Sequence, residues 1–313
     1  MPSSLVSTPA DVIAAAAALL GFAPTDSMVV YLLRRDACHG LLVRCAIRAD
    51  ITITAEQAKR FPDTCNLRHP DNAAAILLAI CQQTHDAHAR TVLDALRDAL
   101  GRSGIHVLAR LHARDVTSAG RWCDLDTGQS GPTYPYTDAV LTARQVHRGE
   151  RISPSRADIE AEFAPIAPPA PAQSDQRPVA TVGEEIAAIL AGRRDPDPTL
   201  AARAGALITG QRRLRDAMLG LAAGHPRAAV DLWTHVARQL NGAPRAEALT
   251  VVACCHCLLG DAVRTGIAAD AAVQEAQRAA TPAPPLAGLL LAALQAGIPP
   301  ARIRAVILEA LPD

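Results

Sequence analysis

Leu19-Leu20-Gly21-Phe22-Ala23-Pro24-Thr25-Asp26-Ser27-Met28-Val29-Val30 closes a helix, turns, and opens a buried strand. Ahead of it, Asp11 to Leu20 is rich in Ala and Leu, both strong helix formers. Ser7 or Thr8 can cap that helix, and Pro9 suits its first turn. Gly21 stands where a left-handed residue commonly ends a helix. Pro24 fixes the turn, and the Asp26 and Ser27 side chains can bond nearby backbone donors. Met28 to Leu33 is apolar and partly β-branched, the pattern of a buried strand. Asp26 and Ser27 read first as turn residues and second as members of a site.

Working outward, Arg34 to Gly40 is a polar turn and Leu41 to Ile47 is apolar again, so the two runs predict a β-hairpin. Thr52 to Lys59 opens a short helix. Asp71 and Asn72 precede Ala73 to Cys81, a candidate central strand. Thr84 to Leu100 is helical, with Thr84 as the expected cap and Gly101 after its end. Ile105 to Leu111 is a further strand, with Gly120 to Leu125 as its hairpin partner. Asp138 to Arg148 and Ser155 to Phe163 read as helices.

Proline dominates Ala164 to Pro178, which forbids a helix and favours an extended connector. The expected organisation is therefore an α/β domain over residues 1–163, with a mixed sheet, hairpins and flanking helices. A Pro/Ala-rich linker over 164–181 and an all-helical domain over 182–313, resembling helical-repeat packing, follow it. The helical segments are Val182–Ala191, Pro198–Ala223, Arg227–Leu240, Ala246–Leu259, Ala262–Ala280, Ala283–Ala296 and Pro300–Leu311.

The chain has 313 residues, half of them hydrophobic but only 3% aromatic, so aliphatic side chains must build its cores. Its 31 basic and 31 acidic residues balance. The basic footprint of a nucleic-acid binder is absent, which disfavours that partner. No apolar run approaches the roughly 18 residues of a membrane span, and the first residues lack a secretory signal pattern. Eight cysteines without a short-spaced scaffold predict reduced thiols and a cytoplasmic setting.

Four features carry possible chemistry. Cys254-Cys255-His256-Cys257 lies inside an apolar helical run, where adjacent side chains diverge by about 100° and cannot converge on one ion. Buried packing is the expected role, and no metal site is assigned there. His85 and His88 can share a helix face and, with Asp115, Asp124 or Asp126, have the types of a metal site, but ordinary first-turn capping and dipole chemistry is the leading reading. The loop after Cys81 lies where ligands tend to bind if the sheet is parallel there. Trp122 and Asp124, with Tyr134 and Tyr136, border a Gly/Ser/Pro loop over 127–133 that can bind a partner or anchor a hairpin. Arg212, Arg213 and Arg215 read as a solvated helix face. No G-x-x-x-x-G-K-[ST], G-x-G-x-x-G, G-x-S-x-G or H-E-x-x-H signature occurs, and no cofactor is implied.

The run from Leu19 to Val30 resembles the N-terminal signature of the actinobacterial DUF4192 family. Ser155-Arg156-Ala157-Asp158, Leu214-Arg215-Asp216-Ala217, Leu232-Trp233, Gly260-Asp261-Ala262, Leu286-Ala287-Gly288-Leu289-Leu290 and Ala296-Gly297-Ile298-Pro299-Pro300 fall in the family's order. Members often carry a vicinal cysteine pair after the tryptophan, whereas this chain has only Cys123. The family has no assigned function, so the resemblance implies a fold outline and no chemistry. Neutral charge and absent catalytic motifs lead to the expectation of a protein-interaction or scaffolding module. The alternative is a small-molecule-binding protein or enzyme with Asp26, His85, His88 and Asp124 at one sheet edge.

Overall fold

A computed structural model describes residues 8–38, 40–67, 72–166 and 179–310. Ser7, Asp71 and most of the expected linker (167–178) lie outside them. The chain divides into two compact units, residues 1–158 and 159–313.

The first unit is an α/β sheet domain. Helix α1 (Pro9–Leu20) starts with a reciprocal capping box between Thr8 and Asp11 and ends at Gly21, whose φ of 70° needs a residue without Cβ. Strands β1 (Ser27–Asp36) and β2 (Gly40–Asp50) form the expected hairpin. Helix α2 (Ala55–Thr64) carries a second capping box, from Thr54. Strand β3 (Ala74–Ile80), helix α3 (Asp86–Arg102) and strand β4 (His106–Ala113) make a β-α-β crossover, which is why β3 and β4 run parallel. Strands β5 (Gly120–Asp124) and β6 (Ser130–Thr133) add a meander, giving the order β2-β1-β3-β4-β5-β6. Helix α4 (Val140–His147) follows.

Two expectations are corrected here. A 3-10 turn, Gln83–His85, precedes α3, so Thr84 does not cap it and His85 takes that place without a side-chain bond. The Gly/Ser/Pro stretch after Thr127 is partly strand, because Pro132 lies on an edge strand where a missing N–H costs little.

Alternation sorts the sheet into two faces. Met28, Val30, Leu32, Leu77, Ala79 and Cys81 pack under α2 and α3 with Phe61, Val92, Leu93 and Leu96. On the other face α1 approaches Tyr31, whose hydroxyl donates to the Val12 carbonyl at 3.0 Å.

The second unit is helical. It comprises the end of α5 (Arg156–Glu162), then α6 (Val179–Leu190), α7 (Leu200–Gly210), α8 (Arg212–Gly224), α9 (Pro226–Arg238), α10 (Gly242–Leu259), α11 (Ala262–Arg278), α12 (Pro285–Gln295) and α13 (Pro300–Ala310). The single helix expected over Pro198–Ala223 is two, broken at Gln211, whose backbone is extended. The break lets α7 and α8 each pack on α10. Helix α10 is buried nearly all round, as a helix apolar on every side must be. Cys254, Cys255 and Cys257 lie in that core. Burial pushes the Cys254 thiol up to about 12 and the Cys257 thiol up to about 11, so they behave as small apolar groups.

Four buried arginines link these helices, each to a carboxylate. Arg203 of α7 holds Glu185 of α6 at 2.6 Å, and Arg215 of α8 reaches Glu247 of α10 at 3.4 Å. Arg245 of α10 meets Glu275 of α11 at 2.5 Å, and Arg264 of α11 is bidentate to Glu162 of α5 at 2.9 Å. The run Arg212-Arg213-Leu214-Arg215 is thus not uniformly solvated, because the Arg215 side chain is buried.

Candidate functional site

Register brings several chemically active residues to one end of the sheet. Ser27, the first residue of β1, pairs with Asp50 and with Ile80. Ile80 pairs with Ala113, and Ala113 with Trp122. The loop from Cys81 into α3 and the ends of β3 and β4 therefore lie together, at the carboxyl ends of the parallel pair, where ligands tend to bind in α/β sheets.

On the α3 face of this end, Cys81 Sγ lies 3.6 Å from His112 Nε2. His112 Nε2 is 3.3 Å from Asp86 Oδ1. Arg114 grips both Asp86 oxygens, at 2.7 and 2.9 Å. Each ligand-type atom of Cys81, Asp86 and His112 is within 4.8 Å of the others. Beside them, His85 Nδ1 approaches Asp26 Oδ1 at 3.4 Å, and both atoms are shielded from solvent without a hydrogen bond. Asp26 holds a φ of 40°, a left-handed conformation that asparagine and aspartate tolerate best.

The electrostatics oppose one reading. Burial pushes the Cys81 thiol up to about 11, and the charges of Asp86 and Asp26 add to that against Arg114. Burial holds the His112 imidazole below its usual range, although Asp86 opposes it. Both shifts favour a protonated thiol beside a neutral imidazole over the thiolate–imidazolium pair of an activated cysteine nucleophile.

A second polar seam runs along the same helix. Arg110, buried under α3, bonds Asp94 and lies 2.7 Å from Asp126, with Arg97 also reaching Asp126 at 3.6 Å. Hydrogen bonding to Arg110 holds the Asp126 carboxyl below its ordinary range. The seam follows from two periods. Positions 86, 90, 94 and 98 on a helix advance about 6 Å per step, and positions 110, 112 and 114 on a strand advance nearly the same.

The residues expected from sequence divide as follows. Asp26 and His85 come together. Ser27 is at the same sheet end but on the other face, where its hydroxyl donates to the Thr25 carbonyl and accepts from Arg48 Nε at 2.9 Å. Trp122 shares that row, its indole lying against Gly131. His88 turns away to the Ile53 carbonyl at 2.9 Å. Asp124 accepts the Asp126 amide at 2.8 Å and shapes the β5–β6 turn. Tyr134 donates to Asp11 at the start of α1, and burial with that carboxylate pushes its phenol up to about 12. The Tyr136 amide donates to the Val116 carbonyl at 2.7 Å. Asp115 caps its own turn through Thr117 and Ser118.

Sequence reading missed Asp86, His112 and Arg114. The signal was present in the alternating polar positions of β4 against Asp86, Asp94 and Asp98 on one face of α3. No helix among the described residues is long and apolar enough to cross a membrane.

No curated protein and no solved structure matches the chain. A family model described as "Domain of unknown function (DUF4192)" matches residues 9–206 and 170–301. Those segments take in the sheet unit, with its Cys81–Asp86–His112 cluster, and nearly all of the helical unit, and the chain belongs to the DUF4192 family.

Proposed function

We propose that this chain is a protein-interaction module that docks a partner through the last two helices of its helical unit. The observation that carries this reading is the exposure of Leu289 on α12, at 67%, and of Val306 and Leu308 on α13, at 64% and 41%. Helix α12 is almost wholly apolar, yet only Ala287 and Leu290 within it are buried. A contiguous exposed apolar patch marks an interaction surface in soluble proteins, and these side chains lie on consecutive helices. The partner is a protein with a complementary apolar face, in the reducing cytoplasm of an actinobacterium; eight free thiols support that compartment. Nucleic acid is disfavoured by the charge balance.

A photo-crosslinking residue placed at 289, at 306 and, as a control, at 59 tests the proposal in cells. Adducts of one discrete mass at 289 and 306, absent at 59 and abolished by Leu308→Asp, support it. No adduct at 289 and 306, or equal adducts at all three, rejects it. An adduct of twice the chain's mass makes the partner a second copy.

A second reading, a small-molecule-binding or catalytic sheet domain, is favoured by the convergence of Asp26, Cys81, His85, Asp86 and His112. Native mass spectrometry tests it. A retained small-molecule mass that disappears in Asp26→Ala supports it, and bare protein in both rejects it.

A further inference from the structure

We propose that Cys81, Asp86 and His112 form a binding site for one divalent ion of the zinc class, a site that deepens the second reading and is independent of the docking face. The three donors are a thiol sulfur, a carboxylate oxygen and an imidazole nitrogen, all within 4.8 Å of one another. That set suits zinc and its chemical neighbours better than magnesium or calcium, which take oxygen.

The spacing supplies the argument. A tetrahedral zinc ion has bonds of about 2.3 Å to sulfur and about 2.0–2.1 Å to nitrogen and oxygen. Tetrahedral angles then require about 3.6 Å between sulfur and nitrogen and about 3.3 Å between nitrogen and oxygen. Cys81 Sγ and His112 Nε2 are 3.6 Å apart, and His112 Nε2 and Asp86 Oδ1 are 3.3 Å apart. Two edges of a zinc tetrahedron are already at their lengths.

The donors are framed by packed elements. They come from the end of β3, the first residue of α3 and the end of β4, three elements around one apolar core. The Cys81 amide donates to the Ala113 carbonyl at 3.1 Å, fixing the loop at its origin. Arg114 orients the Asp86 carboxylate from outside, as the outer partners of metal ligands do. A carboxylate has about four lone-pair positions, and the two taken by Arg114 leave one on each oxygen. Asp26 adds negative charge felt at Cys81. Binding exchanges the Cys81 S–H proton for the metal–sulfur bond, and the proton leaves to solvent. Three protein ligands leave the fourth position open for water or a substrate atom, the arrangement of catalytic rather than structural zinc.

The test is titration of chelator-treated full-length protein with cobalt(II), followed by its thiolate-to-metal charge-transfer absorption, with zinc added as competitor. The expected result is one equivalent of cobalt, displaced by zinc, with retained far-UV circular dichroism. Cys81→Ser and His112→Gln should remove the band and lower affinity beyond the about 10–100-fold typical of an outer partner. Cys38→Ser and Cys123→Ser, at other thiols, should leave it intact. Absence of the band in the wild-type protein overturns the proposal whatever the variants do. A band that survives in folded His112→Gln also overturns it. Because the band reports metal directly, its loss is distinguishable from a failure to retain a small molecule.

Discussion

Tyr31 is a polar atom delivered into an apolar sheet face, and it has one partner. Its hydroxyl donates to the Val12 carbonyl, joining β1 to α1, and burial pushes the phenol well above its ordinary range. The Val12 carbonyl belongs to a helix and keeps its intrahelical donor, so Tyr31→Phe leaves no orphaned acceptor. The variant should lose about 1 kcal/mol, the net value of one neutral hydrogen bond. A urea midpoint lowered at unchanged slope checks this, and an unchanged midpoint would make the bond energetically silent. Residue-scale features that depend on neighbours in sequence were legible: the Thr8 cap, the Gly21 terminus and the turn at Asp26. The Cys81–His112 contact was not, because it spans 31 positions and depends on the parallel register of β3 and β4. The i, i+3 spacing put His85 and His88 on one helix face, but His85 stands before α3, and Asp86 is the residue aimed at β4.

At the scale of elements, hydrophobic pattern located nearly every helix and strand, while their breaks were set by packing. Nothing in Gly210-Gln211-Arg212 compels a break, but one straight helix could not place both α7 and α8 against α10. The buried Arg–carboxylate pairs also escaped reading, since an arginine in an amphipathic helix looks alike whether solvated or paired. One pair gives a signed pH dependence. The hydrogen bond from Arg203, together with the charges of Arg203 and Arg194, holds Glu185 below its ordinary range despite burial and Asp197. A carboxyl whose folded value is depressed adds stability that is fully present above its unfolded value of about 4.3 and is lost as pH falls through the folded one. The helical unit should therefore weaken below about pH 4, and Glu185→Gln should flatten that acid limb. At pH 7 the same substitution should cost about 2 kcal/mol, because a charge-assisted bond becomes a neutral one. Urea unfolding at pH 7 and at pH 3.5 separates the two effects; equal losses at both would show that the Glu185 carboxyl titrates alike in the folded and unfolded chain.

At the scale of the molecule, proline content put the domain boundary after Phe163, whereas the compact units divide at Asp158 and Ile159. The difference concerns α5. Composition sees its residues only as the end of a polar helix, but Glu162 and the following Phe163 make three contacts within the helical unit. Glu162 receives two bonds from Arg264, each 2.9 Å long. The Phe163 carbonyl accepts from Arg245 at 2.8 Å. The Phe163 ring is buried edge-on against His256, 5.8 Å between centroids. A fragment starting at Ser155 keeps all three, and one starting at Ala164 loses all three. Losing the charge-assisted bonds of the part-exposed Glu162 costs about 1.5–3 kcal/mol, since Arg264 keeps Asp261 at 3.2 Å, and removing a buried phenylalanine costs about 3–5 kcal/mol. The costs are not additive where Arg264, Arg245 and His256 relax together, so the shorter fragment should be less stable by at least about 3 kcal/mol. Denaturant midpoints of the two fragments measure the difference. Equal midpoints would mean that α5 lies against the helices without holding them, and that the proline-based boundary is the energetic one. A lower midpoint that Arg264→Met partly restores in the shorter fragment would trace the cost to the buried arginine deprived of Glu162 and left with Asp261 alone.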